Sequence, residues 1–352
     1  MRELYAKIDE ILGKINFDSI WSGFFRYEFA LYNKESVYLQ KETIPYDRRF
    51  LGNTSIDYNG KFIAVWHVQN PDKEDPEVLA ADMVHEMFHA FQKSRKESRF
   101  PSDLKMLNYP ENEENYAVKH SEHLLLARAC STEDLNEKKD LLKQFMAARK
   151  YRESIIGEII KQEYLSETIE GLADYAGCMA LKQISAKKYE ERLEEYAKNL
   201  EIFDDRFFNI RQMLYYSGAL LCIQLSEAGV EFYHEIGATE VPLFDIVAMD
   251  TAGEKPALLV ESSKIREYMD KNMQAKRSKF EVFLSQHHDE VQYESYICGY
   301  DPMNMIKMDD MLLCSHFVML RNEKETEPKF LQGPVLVNLK SGSHNQVRSY
   351  VN

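Results

Sequence analysis

Residues 75–91 read DPEVLAADMVHEMFHAF, and this stretch decides the architecture. Upstream of it apolar residues recur at every second position; from Pro76 onward they recur with the period of a helix. Pro76 suits the first helical position, where its missing N–H is not needed. Leu79, Met83, Val84, Met87, Phe88 and Phe91 then make a stripe wide enough to bury the helix along one side. The stripe runs beside His85-Glu86-Met87-Phe88-His89, an HExxH pattern. Residues four apart project from one face, so His85 and His89 can each offer an imidazole nitrogen to a single Zn²⁺ at about 2.0–2.1 Å. Glu86 lies about 100° around the helix, near the metal without binding it. There it can take a proton from a water that the ion has acidified towards a pKa of about 7. About 0.03 such patterns are expected by chance in a chain of this composition, so accident is a modest competitor.

A zinc site needs a third protein ligand and an open fourth position. The stretch Glu167-Thr168-Ile169-Glu170-Gly171-Leu172-Ala173-Asp174-Tyr175-Ala176-Gly177 predicts a helix with Glu167, Glu170 and Asp174 on one face. Gly171, Ala173, Ala176, Gly177 and Ala180 keep it slim, so a neighbouring helix can approach closely and Glu170 can reach a metal held there. A solvated acidic stripe is the alternative reading. Glu111, Glu113 and Glu114 form a rival cluster closer to His89 in the chain. Pro110 followed by Glu-Asn-Glu-Glu is, however, what the dipole at a helix N-terminus favours, and that reading is preferred.

Leu4, Ile8, Ile11 and Leu12 predict a first helix, with Gly13 as a left-handed residue closing it. Alternation over Phe25–Leu31 resumes at Val37 and Leu39 after the turn at Asn33–Ser36, which predicts a hairpin. Asn59-Gly60 favours a type I′ turn between Thr54–Tyr58 and Phe62–Val68, a second hairpin. Helices are expected over Glu113–Ala129, Leu141–Lys161, Leu165–Ile184, Lys188–Leu200 and Phe207–Ser226, followed by a charged helix after Glu261. Short β-like runs at Tyr296–Ile297, Leu312–Leu320, Val335–Leu339 and Gln346–Val351 predict a C-terminal sheet. The organisation expected is a mixed α/β part over residues 1–70 and a helical metal-binding core over 71–235. A connecting segment with a helix over 236–290 then leads to a β-rich module over 291–352. His120, His123 and the adjacent His287 and His288 have no partner carboxylate at a convincing spacing and read as core or surface histidines. The turn segment Gly299–Met305 suggests no chemistry.

Composition narrows the function classes. Over 352 residues, 44 Lys plus Arg against 58 Asp plus Glu leave a net charge of −14, which disfavours nucleic acid and anionic membranes as partners. Hydrophobic residues at 44% and aromatic residues at 12% are too many for a disordered chain. No run approaches the length of a membrane span, and Met1–Leu12 resembles neither a signal nor a transit peptide. Five scattered cysteines without CxxC spacing read as reduced, mostly buried thiols, and a cytoplasmic location is expected.

An HExxH motif followed by a helix reading EGLADY resembles the gluzincin metallopeptidases, the group that includes thermolysin-like proteases and the leucyl-aminopeptidase and leukotriene-hydrolase type enzymes. The resemblance implies an α+β, zincin-like fold and one zinc ion per chain. It implies His85, His89 and Glu170 as ligands, Glu86 as general base, Asp174 as the carboxylate that orients one histidine, and a peptide or protein substrate. Tyr215-Tyr216-Ser217-Gly218-Ala219 is similar to the Tyr-x-x-Gly-Ala stretch of the leukotriene-hydrolase type, which implies Tyr215 as a donor to the oxyanion. Arg211, one turn earlier, would hold a substrate carboxylate or pair with Glu or Asp; pairing is preferred. In zincin folds the strand before the motif helix is a sheet edge to which a peptide adds, although both faces of Phe62–Val68 are apolar enough for a central strand. Three features depart from the pattern. His89 and Glu170 are separated by 80 residues, which calls for an inserted helical pair; Ile169 stands where Asn is usual; and no exopeptidase motif precedes His85. The function expected is zinc-dependent hydrolysis, most simply of peptide bonds. The alternatives are a non-catalytic, zinc-stabilised peptide-binding module, or a structural or interaction protein with a chance HExxH.

Overall fold

Two sheets flank a helical body in the computed structural model, which describes residues 1–248, 255–259, 262–286 and 289–352. His287 and His288 lie outside the described residues. Helix α1 (Arg2–Leu12) buries Leu4, Ile8 and Leu12 on its inner face. Gly13 is not left-handed as expected: at φ −67° and ψ −14° it continues the right-handed turn, and Lys14 N–H bonds to the Ile11 carbonyl.

The first sheet contains β1 (Phe29–Tyr32), β2 (Ser36–Tyr38), β3 (Thr43–Pro45), β4 (Thr54–Tyr58) and β5 (Lys61–His67) in the order β3-β2-β1-β5-β4. The first hairpin is β1–β2; its turn is fixed by Asn33 Oδ1, which accepts from the backbone N–H of Glu35 and Ser36 at 2.9 Å each. The strand begins at Phe29, four residues later than the alternation suggested. The second hairpin is β4–β5, with Asn59 at φ 56° and Gly60 at φ 81°, the positive angles a type I′ turn demands. Strand β5 pairs on its other side with β1, in parallel. It is therefore interior, and the edges of the sheet are β4 and β3.

The helical body opens with α2 (Pro76–Ser94), the HExxH helix. Asp75 caps it by accepting from Glu77 and Val78 N–H, and the six residues of the expected stripe are buried. After the short α3 (Asp103–Met106) come α4 (Glu113–Ser131) and α5 (Leu135–Ile156), a packed pair that occupies the long gap between His89 and Glu170. The expected helix to Lys161 stops at Ile156 because Gly157, at φ 62° and ψ −147°, turns the chain. The chain resumes as α6 (Ile160–Ser166), passes through a π-helical turn (Glu167–Gly171) and continues as α7 (Leu172–Ile184). Helices α8 (Ala186–Glu201), α9 (Ile210–Glu227), α10 (Leu243–Val247) and α11 (Ser262–Gln286) complete the body. No helix among the described residues is long and apolar enough to cross a membrane.

The second sheet is antiparallel throughout. Its strands are β6 (Glu290–Tyr300), β7 (Met305–Met308), β8 (Met311–Cys314), β9 (Phe317–Arg321), β10 (Lys329–Gln332), β11 (Val335–Leu339) and β12 (Gln346–Val351), in the order β10-β9-β6-β12-β11-β8-β7. The apolar run Leu312–Leu320 is thus two strands, divided at Ser315-His316. Leu104 of α3 sits in the core of this sheet, while Phe280 and Phe283 of α11 pack with Leu313, Leu336 and Val351. These contacts hold the sheet against the helical body.

Small residues set the closest helix approaches. A Cβ on Gly171 would stand 2.6 Å from the Cα of Gly218 in α9, and one on Gly177 would stand 3.1 Å from the Ala81 carbonyl of α2. Helix α7 can therefore lie directly on α2, which carries the motif histidines. All five cysteines are free, and Cys178, Cys222 and Cys314 are buried.

Candidate metal centre and cleft

Helix α2 projects His85 and His89 from one face, and the π-helical turn brings Glu170 to meet them. His89 Nε2 lies 3.0 Å from His85 Nε2 and 3.0 Å from Glu170 Oε2, and His85 Nε2 lies 3.8 Å from the same oxygen. Donors bound tetrahedrally at about 2.0–2.1 Å stand roughly 3.3 Å from one another, so these separations suit one small divalent ion. Among the described residues, this is the group of His, Cys, Asp or Glu side chains that can hold a metal ion.

Hydrogen bonds behind the imidazoles fix which nitrogen faces inward. His85 Nδ1 is 2.8 Å from Asp174 Oδ1, an acceptor, so Nδ1 carries the proton. Gln92 donates through Nε2 to the Ile169 carbonyl at 3.1 Å, which turns its Oε1 towards His89 Nδ1 at 2.8 Å and makes that nitrogen a donor as well. Both Nε2 lone pairs then point at the Glu170 carboxylate. Three acceptors facing one another repel unless a cation lies between them, and this donor chemistry is the observation that fits a metal. With no metal bound, a proton serves. Burial opposes a charge on His85, but the Asp174, Glu86 and Glu170 carboxylates outweigh it and raise its pKa to about 10.

The carboxylates behave differently. Glu170 is buried, which alone would favour its neutral form, yet His89, Arg211 and His85 hold it well below the usual range. Glu86 is also buried, and here burial prevails over the two histidines and pushes its pKa upward. Its Oε2 has no hydrogen-bond partner, and it lines a cleft of about 700 Å³ that opens over the three donors. A carboxylate with an unused oxygen and a raised proton affinity is placed to accept a proton from a group in that cleft.

Tyr215, on α9, lies parallel to the His85 ring at a centroid distance of 6.1 Å and borders the cleft. Burial raises its pKa far above that of a free tyrosine, so it stays protonated. Its oxygen accepts from Arg211 Nη2 at 3.4 Å, leaving its own O–H able to donate. Tyr216 also reaches the cleft, but its hydroxyl accepts from Gln212 at 3.2 Å and its ring packs on Tyr196. Arg211 pairs with acidic side chains, as preferred from the sequence: Nη2 bonds Glu170 Oε1 at 2.8 Å and Nη1 bonds Asp103.

Comparison with protein-family models, curated proteins and solved structures finds no match.

One sequence reading needs correction, and one open alternative is decided. Glu167, Glu170 and Asp174 do not share a face, because the π-helical turn accommodates one extra residue and rotates Glu167 away; it bonds Arg149 and Ser217 in the interior. For Phe62–Val68, where an edge and a central strand were both open, the central strand holds: β1 and β4 flank β5, which therefore offers no edge to a peptide. The rival acidic cluster is engaged elsewhere: Glu111 with Lys276, Glu113 with Arg266 and Glu114 with Lys255. His120 and His123 are core histidines.

Sequence reasoning missed Gln92, although its place three residues after His89 on the same helix face was a usable signal. It also missed the wall of the cleft formed by Tyr300–Asn304, His316 and Phe317. Asp301 shapes that wall, accepting from Met303 N–H, Asn304 Nδ2 and His316 Nδ1. Only the docking of the second sheet brings it there, and no local pattern encodes docking.

Proposed function

We propose that the protein is a zinc-dependent hydrolase of the gluzincin type with a zincin-like fold, most simply a peptidase. The observation that carries this reading is the convergence of His85 Nε2, His89 Nε2 and Glu170 Oε2 on one point at the floor of a cleft, with the unpaired Glu86 beside it. Two imidazoles and one carboxylate oxygen are a catalytic rather than a structural zinc set, since they leave a position for reaction. When bound, zinc supplies a Lewis acid that polarises a carbonyl and acidifies water.

The chain's own residues divide the remaining work. Asp174 and Gln92 keep both imidazoles turned inward. Glu86 takes the proton released by the attacking water and can deliver it to the leaving amine. Tyr215 donates its O–H to the oxygen on which negative charge develops. A polypeptide is favoured as substrate because the free edge of β4 meets the cleft at Thr54, where an extended chain can add by main-chain hydrogen bonds. The free cysteines fit a reducing, cytoplasmic setting.

The test is hydrolysis of a peptide library by the zinc-loaded wild type, Glu86→Gln, Tyr215→Phe and Tyr216→Phe. Glu86→Gln should retain zinc and lose most activity. Tyr215→Phe should lower turnover by roughly 10²- to 10³-fold with little change in ground-state affinity, and Tyr216→Phe should do neither. A zinc-loaded protein that binds peptides but cleaves none, with Glu86→Gln binding equally well, would make it a peptide-binding module instead.

A further inference from the structure

Glu170 is the one donor in the group whose two ligating atoms can reach the same ion, since a carboxylate can take a metal through one oxygen or through both. Here the two oxygens have different partners. Oε2 faces the histidines, while Oε1 accepts from Arg211 Nη2 at 2.8 Å. The guanidinium is anchored at its other end as well. Its Nη1 bonds Asp103 on α3, and Asp103 Oδ2 accepts from Tyr300 of the second sheet at 3.5 Å. The side chains of Glu170, Arg211 and Asp103 are 10%, 15% and 18% exposed, so water competes little for these bonds.

We propose that Arg211 is a positioning residue that holds Glu170 as a one-oxygen ligand and thereby keeps one coordination position open. The proposal rests on the metal reading of the site. Chelation through both oxygens requires the carboxylate to turn Oε1 towards the ion, which breaks its bond to Arg211. The guanidinium cannot follow, because its planar fork is fixed between Asp103 and Glu170 and is matched to carboxylates in a way that the point charge of a lysine is not. A second bound oxygen would occupy the position where a substrate carbonyl or a water must enter. Tyr300 and Asp103 extend this control to the second sheet, which otherwise contributes only a wall of the cleft.

Cobalt(II) in place of zinc makes the coordination number visible, since its visible bands are strong when it is four-coordinate and weaken as ligands are added. The full chain would be loaded with cobalt as wild type, Arg211→Met, Asp103→Ala and Arg192→Met. The last removes a guanidinium that bonds Asp82 at 2.8 Å and touches none of the three donors. Wild type and Arg192→Met should show strong four-coordinate bands. Arg211→Met should show bands roughly twofold weaker and shifted towards five-coordination, and Asp103→Ala a smaller change in the same direction. Circular dichroism establishes folding, and if Arg211→Met does not fold, Asp103→Ala decides. Cobalt bound with an unchanged spectrum in the deciding variant overturns the proposal and leaves the metal reading intact, as does an equal change in Arg192→Met. Failure of the wild type to take up cobalt overturns both.

Discussion

His85 and His89 owe their geometry to two residues that stand behind them. Asp174 and Gln92 each hold one Nδ1–H, and each is anchored independently, Asp174 on α7 and Gln92 by its bond to the Ile169 carbonyl. Removing either partner frees an imidazole to rotate and lowers its basicity. Asp174→Ala and Gln92→Ala should therefore weaken zinc binding by roughly 10- to 100-fold. Glu170→Ala, which removes a ligand, should weaken it more than either. Glu111→Ala and Glu114→Ala should leave it unchanged, since those carboxylates bind lysines on the surface. Competition titrations with a chelator measure all five, and the reverse ranking would move the third ligand to the acidic cluster. The grouping itself was legible: HExxH puts His85 and His89 on one helix face with Glu86 beside them, and the stretch Glu167–Gly177 offered Glu170 and Asp174, which the fold brings to the two imidazoles. The partners of Arg211 were not legible, because an arginine carries no mark of which carboxylate it meets.

Among the elements, the π-helical turn Glu167–Gly171 does what a regular helix could not. It aims Glu170 at α2 while Glu167 points to the interior, and it does so against α9, where Gly171 and Gly218 touch backbone to backbone. Gly171→Ala places a methyl group 2.6 Å from the Gly218 Cα, where no flexible side chain can yield. Alanine gains about 0.5–1 kcal/mol of helix preference, but overpacking costs about 1–3 kcal/mol, so a net loss of stability is expected. Denaturant titration checks this, and zinc affinity should fall with it because Glu170 is the adjacent residue. Unchanged stability would mean that α9 moves away freely. The hairpins and α2 were readable because each rests on a local rule: a turn-forming or positive-φ dipeptide, a proline at the first helical position, a stripe of period 3.6. The π-helical turn was not, since a single extra residue leaves no compositional trace, and the rank of β4 and β5 depended on a parallel pairing with the distant β1.

Across the whole molecule, the pair α4–α5 brings an ionic core to the rear of the site. Arg149 and Arg152 of α5 and Lys119 of α4 meet Glu122 of α4, Glu163 of α6 and Glu167 of the π-helical turn, with all six side chains buried. Periodicity could not reveal it, because charged residues in a helical pattern read as a solvated face. Breaking such a network strands a charge, so Arg152→Met should cost about 3–5 kcal/mol. The network also imposes a pH dependence. Burial works against the charged form of Glu163, but Arg152 and Lys119 hold its carboxyl well below the usual range. A folded pKa below the unfolded one contributes stability that is complete above about 4.3 and is lost as pH falls towards the folded value. Urea midpoints should fall more steeply below that pH in the wild type than in Glu163→Gln. Equal slopes would assign acid sensitivity to other carboxylates.

The convergence of His85, His89 and Glu170 on one point is proposed to hold a single zinc ion, and metal content is the decisive measurement. Elemental analysis of protein purified without chelator should give close to one zinc per chain in the wild type and close to none in the His85→Ala, His89→Ala double variant. A wild type without zinc, or a double variant that retains it undiminished, would rule out a metal at these residues.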